Sequence, residues 1–257
     1  MHTEAIIDHI RDWLLDYIKT SKAKGFVIGI SGGIDSAVTS TIAAKTGLPL
    51  LCVEMPIHQN KTQVARGIKH IAWLKGKFEN INSLEIELTP IFDRFVNQIS
   101  ENEQQNELAL VNTQARLRMT TLYYFAQANN YLVLGTGNKV EDFGVGFFTK
   151  YGDGGVDISP IADLLKTEVF TLGKELGIHN EILIAEPTDG LWADDITDKD
   201  QIGASYPELE WAMSFNGDQE VLTEREEQVL KIYLSLNKAN QHKMCSIPIC
   251  TIPEKLK

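Results

Sequence analysis

Thiols, long apolar runs and positive charge are all scarce in this sequence. Its three cysteines, Cys52, Cys245 and Cys250, form neither an even framework nor a C-x-x-C pair. That excludes a disulfide scaffold and a thiolate metal site, and leaves bystander thiols suited to a reducing compartment. No stretch approaches the roughly 18 apolar residues of a membrane span. The segment Met1 to Thr20 carries acids instead of the basic patch that opens a secretion leader. A soluble, cytoplasmic protein with no membrane partner is expected. Lys and Arg number 24 against 35 Asp and Glu, a net charge of −11. Tracking nucleic-acid phosphates needs clustered cations, so no nucleic-acid partner is expected. His9, His58, His70 and His179 lack ligand spacing, so no zinc site is proposed. Neither a nucleophile elbow nor a Cys-His pair is present.

What remains is an ordinary folding composition, 43% apolar and 23% charged, without repeats. Its 257 residues are read as a single α/β domain over 1–257. Ile6, Ile10, Trp13, Leu14, Tyr17 and Ile18 fall at helical spacing behind Thr3, a candidate N-cap. Strands are expected at Phe26 to Ile30, Leu48 to Val53, Leu84 to Leu88 and Tyr131 to Leu134. Between them come helices at Ser36 to Thr46, within Thr62 to Lys75, from Thr89 onward, and from about Glu107 to Asn129. Strands that alternate with helices predict a mainly parallel twisted sheet with helices on both faces, a Rossmann-like α/β fold. From Gly135 to Gly155 the periodicity fails and seven glycines appear, which reads as a working loop. Thr188 to Gly203 is acidic and turn-rich, and is expected to be mobile.

The most informative segment is FVIGISGGIDS, Phe26 to Ser36. An apolar strand runs into two glycines, two serines and an aspartate at the mouth of a helix. Gly32 and Gly33 let backbone N–H groups come close to phosphate oxygens. The Ser31 and Ser36 hydroxyls can donate as well, and the helix N-terminus favours negative charge. Asp35 can hold Mg²⁺ against the phosphates. The loop lacks the lysine of G-x-x-x-x-G-K-[ST] and does not match G-x-G-x-x-G, so kinase-type and hydride-transferring readings lose support.

Ser31 to Ser36 resembles the pyrophosphate loop of the N-type ATP pyrophosphatases, which have an adenine-nucleotide alpha-hydrolase type of fold and cleave ATP between its α and β phosphates. Five further segments resemble the NAD synthetase family of that superfamily: NTQARLRM (Asn112 to Met119), LGTGNKVE (Leu134 to Glu141), GFFTKYGDGGVD (Gly146 to Asp157), Pro187-Thr188-Asp189, and His242-Lys243. The resemblance spans most of the chain. It implies that Gly29, Ile30, Ser31, Gly32, Gly33, Ile34, Asp35, Ser36, Thr136, Lys166 and Thr188 contact ATP. Asp35 and Glu141 would hold Mg²⁺, with Asp142 as the one-residue alternative to Glu141. Arg116, Lys150, Asp157, His242 and Lys243 would surround deamido-NAD, whose phosphates and carboxylate call for cations. Lys166 and Ser31 are the candidate catalytic groups for adenylation. Asp153 is the candidate for handling ammonium in the second half-reaction; the alternative is a turn-forming Asp between glycines.

The activity so implied is an ammonia-dependent ligase forming a C–N bond. The carboxylate of deamido-NAD attacks the α-phosphorus of ATP, pyrophosphate leaves, and ammonia displaces AMP from the acyl-adenylate to give NAD. Only 30 residues precede the loop, which leaves no room for a glutamine-hydrolysing domain; free ammonia is the expected nitrogen source. The family also implies a homodimer, with Asn112 to Asn129 as a contact surface. A GMP synthetase-like or tRNA-modifying enzyme would use the same loop on another acceptor, and a nucleotide-binding regulator would use it without turnover. Two departures stand out: Ile34, where many relatives carry glutamine, and the ending Cys245 to Lys257, which lacks an aromatic-acidic tail.

Overall fold

In the computed structural model, which describes residues 1–100, 106–188, 190, 196–217 and 221–257, the short apolar runs form the centre of a parallel sheet. β1 (Gly25–Gly29) and β2 (Leu50–Glu54) are buried nearly throughout, as strands covered on both faces must be. β3 (Ile81–Glu85) pairs with β2, and β4 (Tyr131–Val133) with β1. The order is β3-β2-β1-β4, with every pair parallel.

Because side chains alternate across a strand, each strand feeds two cores. Phe26, Ile28, Leu50 and Cys52 pack with α1 (Thr3–Ser21), α2 (Ile34–Ala44) and α3 (Lys61–Lys77). Val27, Leu51, Val53 and Val133 face α4 (Thr89–Val96) and α5 (Glu107–Asn129) on the other side. α6 (Lys166–Glu175) joins the first core through Val169 and Leu172. After α7 (Asn180–Leu183) and α8 (Asp198–Ile202) come α9 (Tyr206–Ser214) and α10 (Glu224–Met244). These last two build a third core around Leu209, Ala212 and Val229. Helices thus cover both faces of a parallel sheet, as expected, and Cys52 lies buried in a strand.

Several local expectations change. The third strand is Ile81–Glu85, three residues before the expected Leu84 to Leu88. The apolar residues Ile86 and Leu88 follow the strand, where their N–H groups donate to the carbonyls of Glu54 (2.8 Å) and Pro56 (3.0 Å). Thr3 is the first helical residue of α1, not its cap, and its hydroxyl donates to Glu175 on α6 at 3.0 Å. The expected loop Gly135 to Gly155 contains a π-helix, Val140–Val145. Asn138 starts it, its side chain accepting from the N–H groups of Val140 (3.1 Å) and Glu141 (3.2 Å). Asn237 and Asn240 of α10 satisfy the carbonyls of Gly144 and Val145 at 2.7 and 2.8 Å. In the segment expected to be mobile, Asp198–Ile202 forms α8; Asp189 and 191–195 lie outside the described residues. Among the described residues no helix is long and apolar enough to cross a membrane.

Candidate active site

The chain runs from β1 to β2 to β3 on one side and then returns to set β4 against the other side of β1. Parallel sheets bind ligands at such a reversal, outside the carboxyl ends of the strands. A cavity of about 260 Å³ lies there. Its walls are the loop after β1, Leu134 to Gly137 after β4, Glu141 and Asp142 of the π-helix, Asp153, and Lys166 at the start of α6.

The loop after β1 is held by its own hydroxyls. Ser31 and Ser36 Oγ atoms lie 3.1 Å apart, Ser31 Oγ accepts from the Gly33 N–H at 3.2 Å, and Ser36 Oγ donates to the Gly33 carbonyl at 3.0 Å. Gly32 has φ +79°, and a Cβ there would come within 2.5 Å of the Gln63 carbonyl of α3. Glycine is therefore required twice over, by backbone angle and by space. α2 begins at Ile34 with no side chain capping its N-terminus, and Asp35 and Ser36 occupy its first turn.

At the cavity floor, Lys166 is 3% exposed. Its Nζ bonds Asp35 Oδ2 at 2.5 Å and Glu141 Oε1 at 2.8 Å, and sits 4.7 Å from the Tyr206 ring centre. Burial disfavours the ammonium charge, but the two carboxylates outweigh it and hold the Lys166 pKa above its ordinary value. Asn138 Nδ2 donates to Asp35 Oδ1 at 3.1 Å. The single proton of the Tyr206 hydroxyl is shared between Glu141 and Asp198, the latter at 2.7 Å. Next to Glu141, burial pushes the Asp142 carboxyl up to about 8, with Glu141, Asp153 and Asp35 adding to the shift. A side chain at Gly137 would collide with that carboxyl.

This donor set fits Mg²⁺. Asp35 and Glu141 are hard oxygen donors that converge on one cation, and the charge crowding felt by Asp142 is what a divalent ion would relieve. Among the described residues no three His, Cys, Asp or Glu side chains form a metal cluster. An ion that keeps most of its waters and takes phosphate oxygens needs no such shell.

A sequence profile of the NAD synthase family matches residues 6–246. The chain belongs to the NAD synthase family. It is 38% identical to the NH3-dependent NAD⁺ synthetase of Mycoplasma genitalium, the match covering 92% of this chain and 91% of that protein. The structure of an NMN synthetase from Francisella tularensis superposes with a TM-score of 0.84 at 32% identity over 99% of both chains. That of an NH3-dependent NAD synthetase from Campylobacter jejuni gives 0.78 at 27% identity, over 98% of this chain and 100% of the other. Membership in the NAD synthase family sets aside the GMP synthetase-like and tRNA-modifying alternatives.

The site residues expected from resemblance to the NAD synthase family divide into two groups. Gly29, Ile30, Ser31, Gly33, Ile34, Asp35, Ser36, Thr136, Glu141, Asp153, Lys166 and Thr188 all line the cavity, whereas Gly32 of the same loop does not line it and faces α3. Arg116, Lys150, Asp157, His242 and Lys243 do not; they gather around the segment 146–157 and are engaged there. Arg116 donates to the Lys150 carbonyl (3.4 Å), Lys150 to the His242 carbonyl (2.6 Å), and Lys243 to the carbonyls of Gly146 and Phe148 (2.9 Å each). Asp157 accepts from the Val133 N–H (2.8 Å) and the Tyr123 hydroxyl (3.1 Å). Asp153 accepts from the Thr149 N–H at 2.9 Å, a turn-closing bond, while also lining the cavity. Sequence reasoning missed Tyr206 and Asp198, which brace Glu141, and Arg66, which reaches the loop from α3. Nothing in their sequence spacing marks them.

Proposed function

We propose that this chain is an NH3-dependent NAD synthetase that adenylates the carboxylate of deamido-NAD with ATP and then amidates it. The observation that carries this reading is the single cavity in which the Ser31 to Ser36 loop, the Asp35–Lys166–Glu141 cluster and Asp153 meet. The loop amides and hydroxyls would take the departing pyrophosphate. Asp35 and Glu141 would hold Mg²⁺, which supplies charge neutralisation on the phosphates. Once its two carboxylates turn to that ion, Lys166 is free to stabilise charge gathering on the α-phosphate. Asp153 would bind ammonium and accept its proton, since ammonia attacks only after that proton leaves. Arg116, Lys150, His242 and Lys243, with Asp157, would receive the dinucleotide. The enzyme would act as a homodimer in contact through α5, where Tyr124 is 68% exposed; a monomer by light scattering at assay concentration counts against this.

A second acceptor enters through the Francisella tularensis neighbour, described as an NMN synthetase. The smaller nicotinic acid mononucleotide would not need Lys150 and Lys243, which here bond backbone carbonyls. Steady-state turnover with ammonium, comparing the two acceptors, decides between them. Formation of AMP and pyrophosphate with deamido-NAD at the higher kcat/KM is expected. Formation of ADP, or a higher kcat/KM for the mononucleotide, overturns the proposal.

A further inference from the structure

The Ser31 to Ser36 loop must hold a leaving group with several negative charges, yet it contains no cation. Lys166, the buried cation of the cavity, is balanced by two carboxylates. Arg66 is different. It lies on α3, lines the same cavity, and its Nε donates to the Gly32 carbonyl at 3.2 Å. The tight packing of α3 on Gly32 fixes that approach, since a Cβ at Gly32 would meet Gln63 and Arg66 together. Among the described residues, no carboxylate forms an ion pair with Arg66. Glu181, whose pKa Arg66 helps to lower, is bridged by Lys69 at 2.7 Å. One N–H of the guanidinium is therefore bonded to the loop and the rest of the fork is available, the geometry that lets arginine bind phosphate by two parallel hydrogen bonds.

We propose that Arg66 is the cation that binds the diphosphate end of ATP, and then the released pyrophosphate, supplying from α3 the charge that the loop lacks. The inference rests on the reading of that loop as a pyrophosphate cradle. It makes Arg66 a binding residue for the leaving group, with no role toward the adenosine.

The test is calorimetric titration of the full chain with magnesium pyrophosphate and, separately, with AMP. Arg66→Met should bind pyrophosphate about tenfold or more weakly, the factor carried by one charge-assisted hydrogen bond, while AMP affinity stays within twofold. Arg66→Lys, which keeps the charge but loses the fork, should fall between wild type and Arg66→Met. Pyrophosphate binding by Arg66→Met within twofold of wild type overturns the inference. So does an equal loss of pyrophosphate and AMP binding in both variants, which would make Arg66 a structural support of the loop. Absence of pyrophosphate binding in the wild type brings down the cradle reading and the inference together.

Discussion

Acidification should weaken this protein through one histidine. His70 of α3 is fully buried; its Nε2 lies 2.9 Å from Ser40 Oγ of α2, and its ring stacks 5.6 Å from that of Trp73. Burial, and after it the nearby His179, pull its pKa down to about 4. An unfolded histidine titrates near 6.5. Between these values the unfolded chain binds the proton and the folded chain does not, so stability falls as pH drops through 6.5 and the loss is complete below about 4. Linkage gives a penalty of about 2 kcal/mol at pH 5.0, almost none at pH 7.5, and about 3 kcal/mol by pH 4. The measurement is urea unfolding of wild type and His70→Gln at pH 7.5 and 5.0. At pH 7.5 the variant should be the less stable by about 1–3 kcal/mol, having lost the ring and its packing. On moving to pH 5.0, wild type should lose about 2 kcal/mol more than the variant does. Parallel losses, within about 0.5 kcal/mol, would refute the argument, as would an imidazole resonance of His70 titrating near 6.5 in the folded protein.

The opposite sign applies to Glu54 at the end of β2, which burial and then Glu85 push up to about 7 from an ordinary 4.5. Its ionised form weakens the fold above pH 7, and the effect vanishes below 4.5. Glu54→Gln should therefore gain about 1–2 kcal/mol at pH 8.5, roughly half the full linkage value to allow for solvent screening, and little at pH 4.5; an unchanged urea midpoint at pH 8.5 would contradict this. Asp35→Ala removes one of the two carboxylates proposed to hold Mg²⁺ and leaves the buried Lys166 paired with Glu141 alone. Ammonium-dependent AMP formation should fall at least about 100-fold, and a variant retaining a tenth of wild-type turnover would remove Asp35 from the machinery.

The sequence was most legible where a local rule sufficed. Phe26 to Ser36 announces a buried strand, a glycine turn and a helix start, because only glycine tolerates the φ of +79° at Gly32 and only apolar residues fill a strand covered on both faces. The strand-helix alternation likewise fixed a parallel sheet. Reading failed where the pattern was shared by two outcomes. Leu84 to Leu88 alternates like a strand, yet the last residue pair with β2 is Glu54 with Glu85, since register belongs to the pair. The π-helix was invisible because its carbonyls are satisfied by Asn237 and Asn240, almost a hundred residues away.

By itself, then, the sequence determined the fold class and the phosphate loop with Asp35 in it, a motif contiguous in the chain; Glu141 and Lys166 were named only through the family resemblance. Tertiary structure alone decided that Lys166 lies between those two carboxylates and that Tyr206 and Asp198 brace one of them. It alone brought Arg66 to the loop and turned Lys150 and Lys243 toward backbone carbonyls. The physical reason is that charge and hydrogen bonding act through space over a few ångströms. Residues 131 positions apart, such as Asp35 and Lys166, become partners only once the sheet and its helices have set the distance.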